Sequence, residues 1–323
     1  NYSFQTPDAG TYWYHSHYLS YEQVERGLYG ALIVDDPTPP DVDHDIVAVI
    51  DDWLINEAGE LDENFGNRHE LSHAGRVGNF ARAVLSQDTV RLGDRIRLRM
   101  INAATARVFA LNLAGLNGQV VALDGMNLSQ PLPMDTLTLA PAQRIDLIAD
   151  VVAAPDISFR TRRGNYLLGS LALDGENANR GTGPIPALAQ TNVVAPDLSN
   201  SIELTLNMQG GAMARGHGGD DLWAFNDVSG LPNVPFGTFQ RGQTAVINLV
   251  NRTSFPHGMH LHGHHFSELT PDGQLGPYRD TTLVEAGESR KIACVFDNPG
   301  RWLFHCHMLG HQAAGMKTWV TVA

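Results

Sequence analysis

Charge is scarce in this 323-residue chain, and the balance is acidic. Only 18% of the residues are charged, against roughly a quarter in an average soluble protein, and 22 Lys plus Arg face 35 Asp plus Glu for a net charge of −13. Phosphate binding needs a basic surface, so this balance argues against a nucleic-acid partner. No run of 18 apolar residues occurs, which leaves nothing to cross a membrane as a helix. Two cysteines, Cys294 and Cys306, allow at most one disulfide and no disulfide framework. Glycine and proline are plentiful, at 32 and 17 residues, too many breakers for long helices or coiled coils, and the low charged fraction with 43% hydrophobic residues is a poor fit to a disordered chain.

Short alternating segments recur at 31–34, 45–50, 89–100, 136–139, 145–152, 201–207, 244–250 and 291–296, nearly all bounded by Gly, Pro, Asn or Asp. That is the pattern of an all-β sandwich protein. A helical turn is expected near 67–80, where His69 and His73 share a face by their i, i+4 spacing and read as solvated surface. An internal echo divides the chain. Gly93 precedes Asn102 by the same nine residues that separate Gly242 from Asn251, each pair spanning an apolar strand, and Arg144 and Arg290 echo at nearly the same offset. Two similar β domains in tandem account for this. The expected divisions are 1–40, 41–180, a Gly/Pro/Ala/Asn-rich linker at 181–200, and 201–323.

The 14 histidines cluster at both ends. Three groups stand out: His15-Ser16-His17, His257 through Gly263 with His260 and His262, and His305-Cys306-His307 followed by His311 and Met316. Side chains alternate across a strand, so His305 and His307 can face one centre while Cys306 faces another. Cys, two His and a weak axial Met form a blue-copper site, and Cys306, His311, Met316 and the more distant His257 fit that set. The pairs His15/His17, His260/His262 and His305/His307 supply six imidazoles for a second, multinuclear centre. Zinc is the rival metal, but zinc sites do not explain Met316. Cys294, in an apolar run without a histidine neighbour, reads as core, and the Gly-rich loop holding Met213 and His217 near Met208 reads as incidental.

With these residues in place, the chain resembles the multicopper oxidases, the laccase and bacterial copper-oxidase group. The motifs that carry the resemblance are Gly10 to His17, HxxHxHG from His257 to Gly263, and HCHxxxHxxxxM from His305 to Met316. The resemblance implies tandem cupredoxin-like Greek-key β-sandwiches, the middle one without copper ligands. It implies type 1 copper ligands at His257, Cys306, His311 and Met316, a type 2 ligand at His260, and type 3 ligands at His15, His17, His262, His305 and His307. It further implies four coppers, with Cys306 and its flanking histidines carrying electrons from a phenol-like or metal-ion reductant to dioxygen, which is reduced to water. Export to the periplasm or medium is the corresponding expectation.

The family carries a further HxH motif upstream, and this sequence has none. One type 2 and one type 3 ligand are therefore absent, and the expectation is a chain truncated at its N-terminal side, incomplete as an oxidase on its own. A type 1 electron-transfer cupredoxin protein that reduces no oxygen is the alternative.

Overall fold

The structure, a computed structural model, describes residues 3–323 apart from 136, 179, 181–182, 186, 190, 192 and 213–221. Met213 and His217 thus lie outside the described residues, and Met208 is a core side chain with no exposed surface. The described residues are dominated by strands, with three short helices: α1 (Ser20–Gln23), α2 (Arg68–Ser72) and α3 (Leu309–Ala313).

Near the start, Gly10–His15 and Tyr29–Val34 form an antiparallel two-stranded sheet. An eight-stranded sheet follows, in the order Phe80–Leu85, His44–Trp53, Arg95–Asn102, Arg144–Thr161, Phe109–Leu123 and Met126–Pro133, with two further strands paired to its members. Its apolar face closes on a core that includes Ile46, Leu98, Phe109, Ile145 and Leu147. The C-terminal part holds two sheets. One has six strands around Ser201–Gly210, Gln243–Asn251 and Ser289–Phe296; the other has five, around His257–Leu261, Gly300–Cys306 and Lys317–Val322. Their second core includes Trp223, Phe239, Phe266, Phe296 and Phe304.

The sequence echo has a structural cause. In both halves a strand pairs parallel with the echoed strand, His44–Trp53 with Arg95–Asn102 and Ser201–Gly210 with Gln243–Asn251. Each echoed strand begins at a turn whose glycine takes a left-handed backbone, Gly93 at φ 88° and Gly242 at φ 83°, a conformation glycine adopts without steric cost. Each ends on an asparagine that staples the following loop. Asn102 donates to the Arg107 and Leu139 carbonyls, and Asn251 donates to those of Phe255 and Val284. These buried amides satisfy loop carbonyls that water cannot reach.

Three expectations are refined in detail. The segment 89–100 is not one strand but Thr89–Val90 and Arg95–Asn102, because Asp94 accepts from the Arg91 backbone and closes a turn. The helical turn near 67–80 is only α2, capped by Asn67, whose side chain accepts from the Glu70 amide at 3.0 Å. The stretch expected as linker also has anchored residues, since Leu188 packs with Val121 and Ile148.

Buried ion pairs join these parts. Arg99 donates to Thr11 and Asp146, fixing the N-terminal hairpin to the eight-stranded sheet. Arg144 donates through two nitrogens to Asp280, at 2.9 and 2.6 Å, and Gln143 donates to the Thr281 carbonyl at 3.0 Å. The strand Thr281–Val284 pairs directly with His257–Leu261, so these contacts hold the histidine-bearing strand against the neighbouring sheet.

Candidate metal centre

The alternation of strand side chains separates two groups of ligand-type residues. Across the pair His257–Leu261 and Gly300–Cys306, Met259 lies opposite Cys306 and His260 opposite His305. Residues 257, 259 and 261 therefore share the core face with Cys306, while His260 and His305 share the other.

On the core face, Cys306 Sγ lies 3.6 Å from His257 Nδ1 and 3.7 Å from His311 Nδ1, and the two Nδ1 atoms are 3.1 Å apart. All three residues are buried. His311, on α3, donates from Nε2 to the His73 carbonyl at 2.7 Å, and His257 donates from Nε2 to Thr253 Oγ1 at 2.8 Å. Each Nδ1 is then a bare lone pair aimed at the thiol. Burial pushes the Cys306 thiol up to about 12 and the His311 imidazole down to about 4. His257 falls well below the usual range through burial and the facing His311. A soft cation among these three groups would stabilise the thiolate and remove the lone-pair repulsion.

Met316 is buried in the same cluster, and its carbonyl accepts from the Cys306 amide at 3.1 Å. A second thioether, Met308, has its Sδ 3.8 Å from Cys306 Sγ. Sequence reasoning passed over Met308, although its place two residues after the cysteine was the available signal. Trp223 backs the group, with its ring centroid 4.2 Å from that of His311 and 5.1 Å from that of His257.

On the opposite face, imidazole nitrogens converge. His262 Nε2 lies 3.1 Å from His305 Nε2 and 3.3 Å from His17 Nε2, while His307 Nε2 lies 3.2 Å from His15 Nε2. His305 donates from Nδ1 to the Cys306 carbonyl at 2.9 Å and His15 from Nδ1 to the Ser16 carbonyl at 3.1 Å, which leaves their Nε2 atoms as lone pairs. His307 Nδ1 is buried without a partner. His260 donates from Nδ1 to the Asp280 carbonyl and Thr281 Oγ1, both at 3.0 Å. Burial alone would raise the Asp280 carboxyl, but Arg144 and His260 beside it hold it well below its usual range. Burial also lowers His15 to about 3 and His262 to about 2, aided by neighbouring imidazoles. Imidazole nitrogens this close together, with ligand atoms of His17, His262 and His305 within 4.8 Å of one another, form a donor set that suits transition-metal cations. A cleft of about 300 Å³ lined by Tyr14, His15, His17, Arg144, His260 and His307 opens this group to solvent.

The profile of the multicopper oxidases matches residues 4–166 and 194–323. The chain belongs to the multicopper oxidase family. Among solved structures it is similar to Lac15 from a marine microbial metagenome, with 51% identity, a TM-score of 0.83 and coverage of 98% of this chain and 76% of that one. The multicopper oxidase of Pseudomonas thermotolerans superposes with a TM-score of 0.85 at 28% identity, covering 99% of this chain and 78% of that one. Among characterised relatives, the laccase of Phlebia radiata is 30% identical over 97% of this chain and 71% of its own length. This multicopper oxidase is an all-β oxidoreductase of cupredoxin-like architecture that uses copper to couple oxidation of a reducing substrate to dioxygen reduction. An electron-transfer role without oxygen reduction is not favoured by these relatives.

Proposed function

We propose that His257, Cys306, His311 and Met316 hold the type 1 copper, that His260 is a type 2 ligand, and that His15, His17, His262, His305 and His307 are type 3 ligands. The observation that carries the reading is the single chain step between the two groups: Cys306 belongs to the buried thiol group, while His305 and His307 on either side belong to the imidazole group. Copper supplies one-electron redox chemistry at the thiol group and dioxygen reduction at the imidazole group. The chain's own residues fix imidazole tautomers through backbone carbonyls, exclude water from Cys306 and keep Asp280 ionised beside His260.

Two further imidazoles, supplied from outside these 323 residues, complete the second group in this reading. The cleft beside His17 and His260 and the exposed Tyr14 at its rim support an additional segment packing there. Residues 1–40 then belong to a first cupredoxin unit, 41–180 to a second without copper ligands, 181–200 to a connection, and 201–323 to a third. Phenol-like donors or metal ions are the reductants, and the protein works in the periplasm or outside the cell. The test is oxygen uptake. The chain joined to an upstream HxH-bearing segment should consume dioxygen with a one-electron donor once loaded with copper, and the 323-residue chain alone should not. Uptake by neither would contradict the reading.

A further inference from the structure

The thiol group is richer in sulfur than its motif requires. Met308 is only 1% exposed, and its Sδ lies 3.8 Å from Cys306 Sγ, against 3.6 and 3.7 Å for the Nδ1 atoms of His257 and His311. Donors that share one ion at about 2.0–2.3 Å stand roughly 3.3–3.8 Å apart. The thioether therefore keeps the same separation from the thiol as the two imidazoles do.

The local backbone fixes this position. The strand Gly300–Cys306 ends at the cysteine, and Met308 is the residue before α3, with an extended backbone at φ −72°, ψ 100°. Its carbonyl accepts from the amides of His311 and Gln312, at 2.8 and 3.1 Å. The turn that carries His311 into the group thus carries Met308 with it. On the far side of the turn, the Leu309 amide donates to the Thr105 carbonyl at 2.8 Å, which ties the segment to the neighbouring sheet.

One thiolate and two imidazoles do not decide which ion binds, because that donor set suits zinc as well as copper. Thioethers do discriminate, since soft sulfur favours copper and other soft ions and adds little for zinc. The motif supplies one such sulfur in Met316, buried in the same cluster, and Met308 brings a second that the motif does not specify.

We propose that Met308 is a metal-selecting residue of the thiol group, a thioether that favours cuprous and similar soft ions over zinc as the group fills. The proposal deepens the type 1 reading and rests on it. No electron moves in this step: the ion binds in the oxidation state in which it arrives, the Cys306 thiol releases its proton to solvent, and Met308 adds a sulfur lone pair.

The test uses the metal-free 323-residue chain and two probe ions, silver(I) for soft monovalent ions and cobalt(II) as the visible stand-in for zinc. Thiolate-to-metal absorption reports only an ion held at a cysteine, and Cys306→Ser identifies which one. Met308→Leu nearly conserves the side-chain volume and removes the sulfur, so a role in packing alone would shift both ions alike. Ag(I) should bind Met308→Leu at least tenfold more weakly than wild type, with Co(II) affinity changed less than twofold. In wild-type protein carrying carbon-13 methyl methionine, the Met308 methyl resonance, assigned by its loss in the variant, should move when Ag(I) binds. Wild-type Ag(I) affinity in the variant, equal weakening of both ions, or a methyl that stays still while Ag(I) occupies Cys306 overturns the proposal. Ag(I) absorption unchanged in Cys306→Ser contradicts the thiol-group reading itself, and the proposal falls with it.

Discussion

Single residues set the character of the thiol group. Met308 and Met316 both lie in the buried cluster with Cys306, and a thioether donating weakly to copper favours the oxidised ion less than thiolate but more than a hydrocarbon does. Replacing either with leucine should raise the reduction potential of the type 1 copper and alter its absorption, read by redox titration; an unchanged spectrum in Met308→Leu would show that the 3.8 Å sulfur contact has no electronic effect. Asp280 acts on the other group through His260 and Arg144. Asp280→Asn leaves the fully buried Arg144 charge without its partner, and a loss of about 3 kcal/mol is expected from chemical denaturation, in the range for breaking buried ion pairs. The ligand-type residues were legible in sequence because strand alternation is a rigid rule, and the His305-Cys306-His307 triplet can only split between two faces. Met308 was passed over although its i+2 place after Cys306 carried the same signal, because the chain leaves the strand at Cys306 and alternation alone does not extend to Met308, the residue before α3.

At the scale of elements, turns and short helices decide where the ligands stand. Gly315, immediately before Met316, has φ 120°, and a Cβ there would run into Ser229 Oγ and the Trp223 carbonyl. Gly315→Ala should cost about 2 kcal/mol or more in stability and broaden the type 1 spectrum by displacing Met316; a variant with unaltered melting and spectrum would contradict this role. Strands were read well from sequence since their alternation and their Gly, Asn and Asp boundaries are local signals. The break at Arg91–Asp94 was missed because a side-chain hydrogen bond, not a breaker residue alone, ends the first strand. α2 was overextended for the opposite reason: its Asn67 cap begins the helix clearly, but its end at Ser72 comes from the His73 backbone turning away at φ −114°, ψ −131°. That turn is also what presents the His73 carbonyl to His311.

Across the whole molecule, burial keeps the imidazoles neutral and ties stability to pH. His15 and His262 sit at about 3 and about 2 in the folded protein, below the usual imidazole value near 6.5. The unfolded chain therefore binds protons first as pH falls, so stability present at neutral pH is lost progressively below about pH 6.5 and continues to be lost toward about pH 3. Each such group contributes up to ~1.4 kcal/mol per pH unit in that interval. The metal-free protein should show a melting temperature that drops steeply from pH 7 to pH 4, and copper should raise it most at the neutral end, where the unfolded chain's protons do not compete; a flat profile would mean the rings are hydrated. The tandem arrangement was legible from the Gly93/Asn102 and Gly242/Asn251 echo, whereas the Arg144–Asp280 contact that joins the sheets was not, because neither residue's spacing signals a partner 136 positions away.

Copper per chain, measured by elemental analysis after anaerobic loading and removal of free metal, tests the account most directly when wild type is compared with Cys306→Ser. The account predicts close to one tightly held copper in the wild-type 323-residue chain, with intense thiolate-to-copper absorption, and both lost in the variant. Equal copper in the two proteins with no such absorption would contradict it.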